Sequence, residues 1–198
     1  KHIKADDKTD LREEILNAAR EMFVEEGYAN VSMRKIAEKI GYSPTAIYLH
    51  FKDKSDLLHQ ICEESFARLA QNIVAIQKLS LSPLQRLEMG LREYIEFGLQ
   101  HQSHYEIIFI SPIRSDYESI GFEQSNGKIA FETLANGVRE CAEEGLLKSN
   151  DVELISQILW AGLHGITSVL IKHGGFPFVE RRRLIDGMIT TLIDGIKA

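Results

Sequence analysis

The chain has 198 residues, of which 44% are hydrophobic and 26% are charged, and its formal net charge is −6 at pH 7. This composition excludes a disordered chain, and the acidic balance argues against a protein that coats nucleic acid without regard to sequence. No uninterrupted apolar run reaches about 18 residues, and residues 1–9 lack the apolar core of a signal peptide. We therefore expect a cytoplasmic protein without a membrane segment.

Apolar residues recur at helical spacing along almost all of the chain, whereas no segment shows the sustained alternation of a strand. The sequence therefore predicts an all-α protein. We expect residues 1–9 to form a flexible arm, residues 10–56 to form a three-helix head with a helix-turn-helix, and residues 57–198 to form a helical body.

Capping residues mark the helices of the head. Four predicted helices begin at N-cap residues, which are Asp10, Ser32, Ser43 and Asp53. Pro44 stands at the first position of the third helix, which is a further start signal. Gly27 and Gly41 should end the first and second helices.

Longer and more apolar helices are predicted in the body. We expect them at about residues 83–101, 105–110, 125–145, 151–173 and 179–196. Residues 113–124 contain turn formers, so we expect a loop between the second and third of these helices.

The third predicted helix has the pattern of a helix that reads DNA. Ile47 and Phe51 lie four residues apart and should anchor the helix to the head core. Its opposite face carries side chains small or flat enough to approach base edges in a major groove, and these are Thr45, Ala46, Tyr48 and Leu49.

Basic and polar residues near helix starts are candidates for phosphate contacts. Ser32 and Arg34 begin the preceding helix, and Lys54 begins the fourth. Residues 28–60 hold five basic and three acidic side chains, a basic island on an acidic chain. The alternative is a head that binds only protein, in which Tyr48 and His50 are ordinary surface residues.

Four segments together resemble the tetracycline-repressor (TetR) family of transcriptional regulators. They are residues 15–23, 26–28, 31–37 and 41–58. The resemblance implies an all-α homodimer whose heads bind a pseudopalindromic DNA operator and whose bodies sense a small molecule. It also implies a regulator that is usually a repressor, released from DNA by its effector.

The resemblance assigns roles to individual head residues. Positions that contact phosphates in the family are matched by Ser32, Ser43, Tyr48, His50 and Lys54. Positions that often reach bases are matched by Tyr42, Thr45 and Ala46. Leu49 departs from the aromatic residue often found between the tyrosine and the histidine.

Two features of the body predict how it assembles. Trp160, His164 and Gly165 resemble the tryptophan–histidine–glycine signature of one class of C-terminal bodies in the family. The predicted helices at 151–173 and 179–196 are apolar on more than one face, so either both faces are buried within the chain or the two helices form a homodimer interface. Gly162 and Gly165 would permit close helix approach at that interface.

A ligand pocket is expected among the apolar and aromatic residues of the body. The candidates are Met89, Tyr94, Phe97, Tyr105, Phe109, Phe131, Leu134, Trp160 and His164. This mixture favours a small hydrophobic or aromatic effector. The alternative for each of these residues is a position in the hydrophobic core. For His164 we favour a core or interface position over ligand binding.

Other chemistry finds little support in the sequence. His101 and His104 lack the further ligands that a metal site needs, so we expect solvated histidines and no metal or cofactor. We expect Cys62 and Cys141 to be buried and to pack as small hydrophobic residues. Phosphate loops, nucleophile elbows and dinucleotide fingerprints are missing, which argues against an enzyme. The alternative function is a helical ligand-binding or scaffolding protein without sequence-specific DNA binding.

Overall fold

The computed structural model describes residues 5–110 and 125–198, and within these ranges it contains nine α-helices. They are α1 (Ala5–Glu25), α2 (Met33–Lys39), α3 (Pro44–Tyr48), α4 (Lys54–Gln77), α5 (Pro83–Gln100), α6 (Gln102–Tyr105), α7 (Asn126–Glu143), α8 (Val152–Lys172) and α9 (Arg181–Ile196). A 3-10 turn at Tyr28–Asn30 precedes α2, and a π-helical turn at Glu106–Ile110 follows α6. The all-α prediction is confirmed, and the predicted loop at 113–124 lies outside the described residues.

Polar side chains start the helices where the sequence predicts them. Ser32 accepts a hydrogen bond from the Lys35 amide, and Asp53 accepts one from the Asp56 amide. Ser82 forms a reciprocal capping box with Gln85 at the start of α5. These bonds satisfy amide groups that have no partner inside their own helix.

The first helix starts earlier than the predicted N-cap. Since α1 begins at Ala5, Asp10 lies within the helix and residues 5–9 are helical rather than part of an arm, while residues 1–4 lie outside the described part of the chain. The predicted start of α1 at Asp10 is therefore wrong, because a capping pattern can also occur inside a helix.

The chain forms two compact units. Among the described residues, the first contains residues 5–65 and 103–110, and the second contains residues 66–102 and 125–198. The division falls inside α4, and a segment that follows α5 in the chain belongs with the first unit. The assignment of DNA binding to residues 10–56 and of ligand binding and dimerisation to residues 57–198 stays a prediction.

The core of the first unit joins α1, α2, α3 and the beginning of α4. Its fully buried side chains include Ile15, Phe23, Ile36, Ile47, Phe51, Leu57 and Ile61. Ile107, from the π-helical turn, belongs to the same cluster although it lies 45 positions after Cys62, the nearest other member in the chain. The head therefore contains more than the contiguous segment that the sequence predicts.

The second unit is a helical bundle arranged around α5 and α8. Helix α5 packs against α7, α8 and α9, and α8 also packs against α7 and α9. Within the described residues, α8 is the one helix long and apolar enough to cross a bilayer by length and composition, contrary to our expectation that no segment would be. A single such helix is weak evidence for a membrane span, and Ile155, Leu159 and Leu163 bury one of its sides against protein.

Both cysteines are buried, which confirms that they occupy core positions. Burial raises the pKa of the Cys62 thiol to about 12 and that of the Cys141 thiol to about 11. Neither cysteine is therefore a reactive thiolate at neutral pH.

Candidate functional site

The orientation of α3 is fixed by two buried side chains and one glycine turn. Ile47 and Phe51 are almost completely buried in the head core, as the sequence predicts. Gly41 has a φ of +74°, a conformation that side chains with a Cβ rarely adopt, and the Tyr42 amide donates to the Ala37 carbonyl. This turn lets α3 leave α2 in a new direction.

The face of α3 opposite the core is exposed and rich in large side chains. Tyr48 is 55% exposed and Leu49 is 81% exposed, and Tyr42 just before the helix is 45% exposed. Thr45 is exposed, and Ala46 is half-buried beside it. Exposed aromatic and apolar side chains grouped on one short helix are typical of a surface that meets a partner.

Ser32 and Ser43 each cap the start of a helix, and each keeps a hydroxyl proton that can donate a further hydrogen bond. Ser32 Oγ accepts from the Lys35 amide at 3.2 Å, and Ser43 Oγ accepts from the Ala46 amide at 3.3 Å. A hydroxyl that accepts one bond can still donate its own proton, and a helix N-terminus carries partial positive charge. With exposed Arg34 nearby in sequence, this arrangement suits contact with phosphate oxygens.

Lys54 contacts the turn between α1 and α2. Its ammonium group donates to the Tyr28 carbonyl at 2.8 Å and to the Val31 carbonyl at 2.9 Å. It also lies 4.1 Å from the centre of the Tyr28 ring. Lys54 is thus engaged inside the head, and His50, another predicted phosphate contact, is half-buried.

Three of the predicted pocket residues lie together in the second unit. The rings of Trp160 and His164 stack with their centroids 5.5 Å apart, and Phe131 meets Trp160 edge-on at 6.5 Å. Burial lowers the pKa of His164, which keeps its imidazole neutral at pH 7. The cluster is aromatic and uncharged.

The remaining pocket candidates are not gathered at one place. Tyr94 and Phe97 are buried on α5, Leu134 is half-buried on α7, and Met89 is 40% exposed. Tyr105 and Phe109 pack together at 4.8 Å but belong to the first unit. The candidates therefore divide between the two units.

His101 and His104, which we expect to be solvated, are both half-buried and contact other side chains. His104 Nδ1 lies 2.8 Å from Ser65 Oγ, and Ser65 is buried and donates to the Ile61 carbonyl. His101 packs against Phe97 with ring centroids 4.8 Å apart. Among the described residues, no group of three potential metal ligands converges. The position of Ser65 on the apolar stripe of α4 was the signal that could have revealed its buried role.

Comparison with known families decides the identity. Residues 15–61 match the family "Bacterial regulatory proteins, tetR family", and residues 87–192 match "Tetracyclin repressor-like, C-terminal domain". The chain belongs to the TetR family. The second match covers more than half of the chain, so the family assignment includes the body as well as the head.

Relatives and solved structures agree with this assignment. The HTH-type transcriptional repressor AcnR of Corynebacterium diphtheriae is 42% identical over 176 residues, which cover 86% of each chain. The HTH-type transcriptional regulator SAR2658 of Staphylococcus aureus is 28% identical over 52% of this chain, and the match spans about half of that protein (55%). The fatty acid degradation regulator FadR of Bacillus halodurans has the same fold, with a TM-score of 0.78 at 18% identity over 98% of this chain and 97% of that chain.

These findings make the protein a DNA-binding transcriptional regulator of the ligand-responsive TetR class. Its relatives are bacterial transcriptional regulators rather than enzymes, which confirms the sequence-based choice between those two classes. The tryptophan–histidine–glycine class of the body stays a prediction.

The lowered pKa of His164 predicts a pH-dependent contribution to stability. Because the folded state holds this histidine neutral below its ordinary value of 6.5, the unfolded state binds more protons between the two pKa values. The contribution is therefore complete above pH 6.5 and declines as the pH falls toward the folded-state pKa. We expect the difference in unfolding free energy between wild type and His164→Gln to shrink as the pH falls from about 8 to about 5.

Urea unfolding at each pH measures this difference. His173→Gln, which removes an exposed histidine at the end of the same helix, controls for general effects of losing a histidine. A wild-type advantage over His164→Gln that stays constant across the pH range would contradict the expectation.

Proposed function

We propose that the protein is a homodimeric repressor that binds a pseudopalindromic DNA operator and is released by a small hydrophobic or aromatic effector. The observation that carries the proposal is the exposed face of α3, held outward by the buried Ile47 and Phe51. The repressor AcnR, 42% identical, supports repression as the direction of regulation. We further propose that the protein acts in the bacterial cytoplasm, where an operator is accessible.

The head provides separate groups for bases and for phosphates. We assign Tyr42, Thr45 and Ala46 to base edges, because they lie on or beside the exposed part of α3. We assign phosphate contacts to residues near helix ends. They are Ser32 and Arg34 at the start of α2, Ser43 at the start of α3, Tyr48 and His50 at and just beyond its end, and Lys54 at the start of α4. Recognition by one short helix per head requires two heads to specify a long site.

The dimer interface is proposed on the outward faces of α8 and α9. Leu154 and Ile158 on α8 are 52% and 47% exposed, and Val169 on the same face is also exposed. The position where Gly165 would carry a Cβ has no atom within 4 Å, so another backbone can approach closely there. An exposed apolar face of this length is suited to a second copy in a two-fold arrangement.

The two glycines of α8 serve different contacts. A Cβ on Gly162 would lie 3.0 Å from the Leu192 side chain, so this glycine permits packing of α9 against α8 within one chain. Of the two glycines of α8, only Gly165 has open space where a Cβ would lie. We therefore assign only Gly165 to close approach between protomers.

The effector site is proposed around the aromatic cluster of Phe131, Trp160 and His164. Stacked rings and a neutral imidazole favour an uncharged hydrophobic or aromatic molecule over an anion. The other predicted lining residues of the same unit are Met89, Tyr94, Phe97 and Leu134, whereas Tyr105 and Phe109 belong to the first unit and are left out of this site. Effector binding would act through α4, a continuous helix of 24 residues that begins in the head, by changing the distance between the two heads.

Selection from a randomised duplex pool, followed by a salt titration, tests DNA binding. We expect a pseudopalindrome and a steep fall in affinity with salt, because each phosphate contact releases counterions. Tyr48→Ala should reduce affinity without changing the melting temperature, since this side chain is exposed. Glu38→Ala on the exposed part of α2 is the matched control. Failure of a folded dimer to select any sequence would instead favour a ligand-binding or scaffolding protein without sequence-specific DNA binding.

The proposed dimer predicts a specific effect of charge on α8. Ile158→Asp should produce a monomer in sedimentation experiments, because a carboxylate would be buried without a partner at the interface. Leu79→Asp, at an exposed apolar position between α4 and α5, should leave the dimer intact. An Ile158→Asp protein that sediments as a dimer would contradict the assignment of this face.

A further inference from the structure

Leu49 is the most exposed large apolar side chain in the described part of the chain. It is 81% exposed, whereas Phe176, the next in order, is 61% exposed. A single exposed leucine is common on protein surfaces and carries no meaning by itself. Leu49 differs because it is the C-cap of α3, the helix whose outward face we assign to DNA bases.

The geometry of α3 directs Leu49 away from the head core. Its backbone is still helical, with a φ of −73° and a ψ of −20°, so Leu49 lies about 200° around the helix axis from the buried Ile47. Thr45 lies about 200° from Ile47 in the opposite sense, and its side chain is also exposed. Thr45 and Leu49 are thus neighbours, four residues apart, on the outward side of α3.

A leucine side chain has no hydrogen-bonding group, and this limits what it can contact in a major groove. Most base edges there present donors or acceptors, and a leucine that covers one of them leaves it without water and without a partner. The C5-methyl of thymine is the apolar substituent that the standard bases present in this groove. Leucine on the outward side of a reading helix is therefore complementary to thymine.

The two neighbours of Leu49 in the chain are suited to phosphate instead. The Tyr48 hydroxyl and the His50 ring can donate hydrogen bonds to phosphate oxygens. A leucine beside those oxygens would displace water from a charged group and replace none of its hydrogen bonds. Chemistry therefore favours a base over a phosphate as the partner of Leu49.

We propose that Leu49 is a specificity-determining residue that packs on the C5-methyl of a thymine in each half-site. The inference rests on the proposed DNA-binding function, and it adds a base contact to those assigned to Tyr42, Thr45 and Ala46. Four residues of helix span about 6 Å, and successive base pairs are about 3.4 Å apart. For a helix that lies along the groove, this thymine is about two base pairs from the base that Thr45 contacts.

Replacing thymine by uracil tests the contact at the level of one methyl group. Uracil keeps every hydrogen-bonding group of thymine and lacks only the C5-methyl. In the duplex selected by the wild type, each symmetry-related pair of thymines is replaced in turn, and affinity is measured for the wild type and for Leu49→Ala. We expect one pair whose replacement weakens wild-type binding about fifteenfold, or about fourfold for each half-site, because a buried methyl is lost.

The same replacement should leave the affinity of Leu49→Ala unchanged, because the alanine side chain no longer reaches the methyl. This variant should already bind the thymine duplex more weakly than the wild type does. Its melting temperature should equal that of the wild type, since Leu49 is exposed. Leu79→Ala, which shortens another exposed leucine outside α3, is the matched control and should respond to uracil as the wild type does.

A methyl group added to cytosine provides the converse test. At the position that uracil identifies, the thymine is replaced by cytosine or by 5-methylcytosine. The methylated duplex should bind the wild type more tightly than the unmethylated one. The two duplexes should bind Leu49→Ala equally well, and an equal gain for both proteins would count against the contact.

The outcomes separate the inference from the proposed function. If no uracil replacement weakens the wild type more than Leu49→Ala, or if the selected half-site contains no thymine, the inference is overturned while sequence-specific binding stands. Equal binding of the selected duplex by the wild type and Leu49→Ala would overturn it as well. If the wild type selects no sequence, the proposed function is refuted and the inference falls with it.

Discussion

Burial of Ile47 and Phe51 in the head core sets the rotation of α3 about its own axis. With five residues, α3 is far shorter than the roughly 12 residues at which an isolated helix becomes marginally stable. It is helical because the Ser43 cap starts it, the Gly41 turn directs it, and the head core holds one of its faces. Every proposed base contact depends on that anchoring, since a different rotation would bury Thr45 or Tyr48.

In the second unit, too, a buried apolar face determines how a helix packs. Helix α8 uses Ile155, Leu159 and Leu163 to pack within the chain, and it keeps a second apolar face that includes Leu154 and Ile158 exposed. Two apolar faces on one helix account for its resemblance in composition to a membrane span. A second copy that buried this outward face would form a dimer through the two bodies. The dimer would bring two heads into one molecule.

Much of this arrangement could be predicted because its signals are local. Caps such as Ser32, the turn glycine Gly41 and the spacing of Ile47 and Phe51 are each encoded within a few residues. The bonds of Lys54 to Tyr28 and of His104 to Ser65 join positions 26 and 39 residues apart, and no local pattern reports them. The placement of Ile107 in the head core escaped prediction for the same reason. The start of α1 was misplaced because a capping pattern also occurs inside a helix.

The most direct test is whether the exposed face of α3 determines which bases are bound. Thr45→Gln replaces an exposed side chain on that face by one that can form two hydrogen bonds with adenine. Selection from a randomised duplex pool should recover, for this variant, a changed base preference at one symmetry-related position of each half-site, with the remaining positions as in the wild type. Recovery of the wild-type sequence with only a weaker affinity would show that α3 does not read bases, and it would contradict the central claim.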